Sequence, residues 1–427
     1  MSSSVTVPSS LGLRVGLRKC VQALALALFL SIASVQPAGA ADAVAFWNEV
    51  GVTASAIHAG RAAAVTPVDL AYVHAAIYDV VVALRGGYRP FAVTVDTVPA
   101  GASVDAAIAS AAHRVLLTLF PSDHVYLDDR YSAALNGIAD GQPKTDGIGL
   151  GEQVASQLLA SRTGDGWNAA VVYVPGSGPG VWQPTAPTPP IAPWLGLMRP
   201  FAFNTASQFR AEPPPSLDSH QWAEDYAEVQ QVGSFTSATR TPAQTETARF
   251  YGEHAGIQYA RIFRAFADER GLSLEDNARL FAQLYTTSAD AIIACFDSKY
   301  FYSFWRPITA IRAGDADGNP DTIGDSSWTP LLGTPNHPEY PSAHGCFTAS
   351  IATALADFFD TKKVPITLTS TVTNTSRTFE STDDMIREIV DARVWAGIHY
   401  RTSVVHGAVI GRQVAHWVSK HYFLPTE

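Results

Sequence analysis

The sequence predicts an all-helical fold, on three observations. Strand-like alternation of apolar and polar residues is scarce along the 427 residues. Helix starts recur, and both Thr66-Pro67 and Thr241-Pro242 pair a capping hydroxyl with proline at the first helical position. Hydrophobic content of 47% against 16% charged residues is the balance of a globular chain with a large core. The expected organisation is a leader over 1–40, then one helical domain over 41–427. That domain divides into N-terminal helices (41–163), a Pro/Gly-rich ordered meander (164–215) and a catalytic core (216–427).

The leader reads as a signal peptide. Arg14, Arg18 and Lys19 precede an apolar run from Val21 to Val35, and Ala38-Gly39-Ala40 offers a small-residue cleavage site. The run is shorter than the roughly 20 residues of a membrane span. No later segment is continuously apolar for that length, so a secreted or periplasmic protein without a membrane span is expected, cleaved near Ala40. Removing 1–40, which holds no acid, takes the net charge from -10 to -13. Such a chain is a poor partner for nucleic acid or anionic membranes. Cys20 leaves with the leader, while Cys295 and Cys346 either pair in an oxidising compartment or stand as two buried thiols.

Element by element, Ala43 to His58 is Ala-rich and amphipathic, and Thr66 opens a helix to about Leu84. Ser103 to Leu119 forms the next and stops at Pro121; Ser122 or Asp123 caps another to about Leu135, and Gly149 to Leu159 follows. His58, His74, His113 and His124 in this part read as helix-face or core residues. From Gly164 to Pro215 Pro and Gly preclude long helices, but Trp167, Trp182, Trp194, Phe201 and Phe203 argue for an ordered meander over the helices, shaping a pocket entrance. Helices resume from Ser219 to Val232, from Thr241 to about Arg270, and from Ser273 into the stretch that carries the chemistry.

That stretch holds three clusters between Lys299 and His406. The first runs from Lys299 to Arg306-Pro307, and a helix persisting to Trp305 sets Lys299 and Arg306 about 700° apart, nearly on one face. The second is His337-Pro-Glu-Tyr-Pro-Ser342-Ala343-His344-Gly345, where Ser342 caps the helix Cys346 to Phe359 and free N–H groups can face an anion. The third is Arg393-Val-Trp-Ala-Gly397-Ile-His399. Gly397 ends a helix from about Asp383, so His399 sits at a junction before a helix starting near Thr402 or Ser403. Lys299, Arg306 and Arg393 with Ser342, His344 and His399 suit a tetrahedral oxyanion such as phosphate or vanadate. Between the clusters, Asp315, Asp317, Asn319 and Asp321 alternate like calcium-loop ligands, but Pro320 and Ser326 break that pattern and favour a plain turn.

Lysine, six residues, Arg-Pro, then Pro-Ser-x-His, then Arg, five residues, His resembles the superfamily that unites vanadium-dependent haloperoxidases with type 2 phosphatidic acid phosphatases and bacterial acid phosphatases. Phe304-Trp305-Arg306-Pro307 and His337 resemble the haloperoxidase branch. The resemblance implies a helical-bundle fold and vanadate as cofactor, with His399 its axial ligand. Lys299, Arg306, Arg393, Ser342 and the Ala343 N–H would bind the equatorial oxygens, His344 would be the acid–base group, and His337 would tune halide use or peroxide handling. The small molecules implied are hydrogen peroxide, a halide (bromide or iodide) and an organic acceptor; a homo-oligomer is open. In the phosphatase alternative His399 is the phosphorylated nucleophile, and a second alternative is a non-catalytic oxyanion-binding relative. Two positions depart from the pattern: Ala343 replaces glycine, and Ser403 stands where an aspartate usually orients the ligand histidine.

Overall fold

A computed structural model of the chain describes residues 42–426. The leader, its cleavage site near Ala40 and Cys20 lie outside the described residues. The rest is helical, as expected. In the N-terminal part, α1 (Ala43–Val52) runs straight into a π-helical turn, Thr53–His58. It is followed by α2 (Thr66–Arg85), α3 (Val104–Leu119), α4 (His124–Asn136) and α5 (Gln142–Ser161). Asp42 and Ser103 cap α1 and α3 through backbone N–H groups two and three residues on. α2 is apolar enough to cross a membrane by composition, yet it is buried inside the protein among its neighbours. α5 starts seven residues before the expected Gly149 because Pro143 opens it after Gly141 (φ 145°). Gly147 and Gly151 let α5 lie on α3: a Cβ there would meet the Ser103 and Ala107 carbonyls at 2.4 and 2.3 Å.

The meander over 164–215 is ordered. Buried carboxylates gather its backbone: Asp290 accepts from the Phe201 and Ala202 N–H groups at 2.6 and 2.7 Å, and Asp69 accepts from the Trp167 indole at 2.7 Å. Burial pushes the Asp290 carboxyl up to about 7, against those two amides.

Next come α6 (His220–Gly233), α7 (Pro242–Phe250), α8 (Ala255–Arg270) and α9 (Leu274–Tyr302). The single helix expected from Thr241 to Arg270 is two, because His254 caps a new start at Ala255. Thr241 and Gln244 form a reciprocal capping box on α7, so the cap-plus-proline signal marks that start correctly. α9 ends at Tyr302 rather than Trp305, on Ser303 in the left-handed conformation (φ 48°). α10 (Pro307–Arg312), α11 (Ala343–Phe358), α12 (Thr382–Trp395) and α13 (Arg401–His421) complete the helices. A small antiparallel hairpin, β1 (Ile366–Ser370) with β2 (Thr375–Phe379), was not anticipated. Its β-branched run, Ile-Thr-Leu-Thr-Ser, did carry the signal.

One large core joins both halves through α2, α3, α9, α11 and α13. A second, aromatic core lies behind the three clusters: Trp222, Phe304, Trp305, Tyr340 and Tyr400 pack together. Each of the last four is a sequence neighbour of a predicted site segment, so ring packing fixes the backbone from which Arg306, the 337–341 loop and His399 project. The acidic loop is a turn, in which Asp317 accepts from the Trp222 indole at 3.0 Å and from the Thr322 hydroxyl at 2.7 Å.

Candidate active site

The three clusters converge. Lys299 closes α9, Arg306 is the extended residue before α10, and the 337–341 loop leads to Ser342, the N-cap of α11. Arg393 lies in the last turn of α12, and His399 sits in the link to α13. Gly397 (φ 76°) makes that link possible, since a Cβ there would lie 2.3 Å from the Gly233 carbonyl. The expectation that Lys299 and Arg306 share a helix face does not hold: Ser303 turns the chain out of α9 first. Arg306 reaches the same place from an extended segment pinned by the aromatic core.

A cavity of about 120 Å³ occupies the centre. His337, Ala343, His344, Arg393 and His399 line it, while Lys299, Arg306 and Ser342 are fully buried in the wall behind. The opposite wall is apolar, with Ala62, Ala63 and Ala64 from the N-terminal part, Ile191 from the meander, Ala255, Ile292, Pro335 and Phe347. Ile191 fulfils the expectation that the meander shapes the pocket.

Arg306 spends its fork on this cluster. Its Nε donates to the His337 carbonyl at 2.9 Å, one terminal nitrogen to the Ile398 carbonyl at 3.0 Å, and that same nitrogen lies 3.3 Å from His399 Nε2. Lys299 Nζ donates to the Pro338 and Glu339 carbonyls, both at 2.9 Å. Arg393 donates to the Tyr251 carbonyl at 3.0 Å, but its buried Nε has no partner. Tyr251 belongs to the α7–α8 break that the sequence reading passed over. The same break holds His254, whose Nε2 donates to the Arg61 carbonyl at 2.9 Å and so ties down the segment leading to Ala62–Ala64.

One residue of the second cluster was not singled out. Glu339, fully buried, faces His399: its Oε1 lies 2.6 Å from Nδ1 and accepts the Tyr400 N–H at 3.2 Å. The only sequence signal was an acid inside an otherwise apolar motif. Position 403, where the pattern expects an aspartate, holds a serine that is buried beside it.

Burial governs the electrostatics. It lowers Lys299 to about 8, Arg306 to about 10 and Arg393 to about 9, because desolvation disfavours each cation. Burial first, and the neighbouring cations second, hold His337, His344 and His399 well below the usual imidazole range, so they are neutral. Burial raises Glu339 to about 7, opposed by the charges of Arg306 and Lys299, the Ser403 hydroxyl and the Tyr400 amide. Three buried cationic side chains thus face one buried carboxylate. Such a pocket is short of negative charge, and Arg393 Nε is a donor without an acceptor. Its donors fit a tetrahedral oxyanion such as vanadate. Among the described residues no three His, Cys, Asp or Glu side chains come together as a group for a metal cation. Cys295 and Cys346 are free buried thiols; Cys295 Sγ donates to the Pro341 carbonyl at 3.6 Å.

Comparison with known proteins gives the same direction. Residues 279–425 match the family described as the VCPO second helical-bundle domain. A vanadium chloroperoxidase from Curvularia inaequalis is 26% identical over 213 residues, covering 40% of this chain and 34% of that protein, so the chain spans about a third of that relative's length. The first bacterial vanadium-dependent iodoperoxidase structure superposes with a TM-score of 0.76 at 22% identity, over 90% of this chain and 96% of that one. A holo-type bacterial vanadium-dependent chloroperoxidase superposes at 0.68 with 18% identity, over 84% and 92%.

Proposed function

We propose that this chain, which shares the fold of the vanadium haloperoxidases and carries their second helical-bundle domain over residues 279–425, oxidises halides with hydrogen peroxide by means of vanadate. The observation that carries the proposal is the charge imbalance of the cavity: Lys299, Arg306 and Arg393 against Glu339 alone, with the Arg393 Nε unpartnered. Bound vanadate supplies a Lewis-acidic centre at which peroxide is activated toward a halide. The chain supplies the rest. His399 presents Nε2 to the oxyanion, and its Nδ1 is taken by Glu339. Arg393, whose Nε is free, would hold an oxygen through its N–H groups, Arg306 and Lys299 would add charge from behind, and Ser342 and the Ala343 N–H would bind from the start of α11. His344, neutral and in the cavity wall, would serve as the group that accepts and returns a proton beside the bound oxyanion.

The apolar wall supports bromide or iodide as the halide, since these ions shed water more readily than chloride and His337 stands beside the same space. An organic acceptor would then meet the oxidised halogen outside so small a cavity. Export to the periplasm or beyond is part of the same reading, from the leader sequence. The test is halide oxidation by metal-free protein before and after orthovanadate, with His399→Ala as control. Activity that appears with vanadate and vanishes in His399→Ala is the expected result. Phosphate-ester hydrolysis inhibited by vanadate, without halide oxidation, would instead favour the phosphatase. That second reading has one observation behind it: a carboxylate-held imidazole is also what a phosphorylated nucleophile needs.

A further inference from the structure

We infer that Glu339 is the positioning residue for His399, standing in for the carboxylate that position 403 of α13 does not provide. The inference rests on the oxyanion reading of the site and concerns which residue orients its histidine.

The geometry specifies the histidine from both sides. Arg306 has only donors, and its terminal nitrogen lies 3.3 Å from His399 Nε2, so Nε2 must carry a lone pair. Nδ1 then bears the hydrogen, and Glu339 Oε1 at 2.6 Å accepts it. The ring is held as the tautomer that keeps the lone pair on Nε2, the form an oxyanion ligand requires. An aspartate four residues after the histidine would do this from the first turn of α13; here the chain does it from the loop before α11.

The loop suits the task because the oxyanion-binding cations fix it. Lys299 grips the Pro338 and Glu339 carbonyls and Arg306 grips that of His337. Tyr340 anchors the next residue in the aromatic core. Ser403 then has a simple role: it is small and buried beside Glu339, with its own backbone carbonyl accepting the Ser342 N–H at 3.0 Å. Serine leaves room for the glutamate, and an aspartate at 403 beside Glu339 would oppose two carboxylates in one dry pocket.

The experiment uses the mature protein labelled with ¹⁵N-histidine. Its readouts are the His399 ring nitrogens by NMR without vanadate, vanadate affinity by calorimetry, and circular dichroism for folding. Wild-type protein is expected to show Nδ1 protonated. Glu339→Ala should mix the tautomers and weaken vanadate about 10–100-fold, the usual cost of losing such a partner. Glu339→Ala/Ser403→Asp should return the Nδ1–H form and most of the affinity. Glu339→Gln keeps the size and one acceptor oxygen, so it should remain folded and lose less than Glu339→Ala. A folded Glu339→Ala protein with the wild-type tautomer and affinity overturns the inference, as does a Glu339→Gln protein that loses more than Glu339→Ala, or a double variant no better than Glu339→Ala. Wild-type protein that fails to bind vanadate would sink the functional reading, while the NMR of the anion-free protein still decides the role of Glu339.

Discussion

Replacing Gly407 by alanine tests whether the site depends on how closely α11 and α13 approach. A Cβ at Gly407 would stand 2.6 Å from the Ser342 carbonyl, where ordinary contact begins at 3.4 Å. The obstacle is backbone, at the N-cap of the helix that carries Ala343 and His344, so it cannot rotate away. The helices must part by about 0.8 Å, the difference between those two separations. Overpacking of this kind costs about 1–3 kcal/mol, offset by roughly 1 kcal/mol of helix propensity gained on replacing glycine. A net loss near 1 kcal/mol is expected. The larger effect is on the site, because a displacement approaching 1 Å costs on the order of 100-fold in rate. The control is Gly149→Ala on α5, where an added Cβ meets nothing within 4 Å; it should stabilise and leave activity alone. Urea unfolding and vanadate-dependent halide oxidation would be measured on both variants. If Gly407→Ala matches Gly149→Ala in stability and wild type in activity, the close approach of these helices does not set the site geometry.

Three further outcomes follow from the same structure. Arg393→Gln should abolish most of the stabilisation that saturating orthovanadate gives the wild type, about 2.7 kcal/mol at a hundred times Kd; an unchanged thermal shift would remove Arg393 from the oxyanion site. His74, buried beside Asn48 and Tyr285, is pushed down by desolvation from 6.5 to about 3. The folded protein therefore binds fewer protons than the unfolded chain between those pH values, and the stability His74 contributes is lost as pH falls. The stability gap between wild type and His74→Gln should shrink by about 2.7 kcal/mol between pH 8 and 4.5, and a gap independent of pH would contradict the neutral buried imidazole. Ala63→Leu, in the apolar wall, should raise the halide KM while vanadate affinity stays near wild type; the opposite ranking would mean that this wall faces the oxyanion.

Much of this was legible in the chain, and the failures have a common cause. Thr241-Pro242 located α7 with its cap, and Thr66-Pro67 located the start of α2, although Thr66 is that helix's first residue and not its cap; the three clusters named the residues that meet at the cavity. What local pattern could not supply was any contact between distant segments. The Lys299–Arg306 angle assumed an unbroken helix, and only the left-handed Ser303 shows that it ends. Glu339 lies sixty residues from His399, and no period links them, so the missing aspartate at 403 looked like a loss. The α7–α8 break was hidden because Phe250 to Ala255 contains no proline. Its contribution to the site, the Tyr251 carbonyl under Arg393, is likewise a tertiary contact.

The apolar wall also has a bearing on how such a protein diversifies. Every predicted oxyanion ligand lies within the matched domain, residues 279–425, whereas Ala62, Ala63 and Ala64 come from a loop more than two hundred residues upstream. Drift or laboratory selection can therefore act on the wall without altering a ligand. Alanine is the smallest side chain with a Cβ, so each change there adds bulk in a single direction, toward the cavity space. A saturation library at these three positions would explore acceptor and halide choice on a fixed reactive centre, with the packing of this segment against the core as the limit on size.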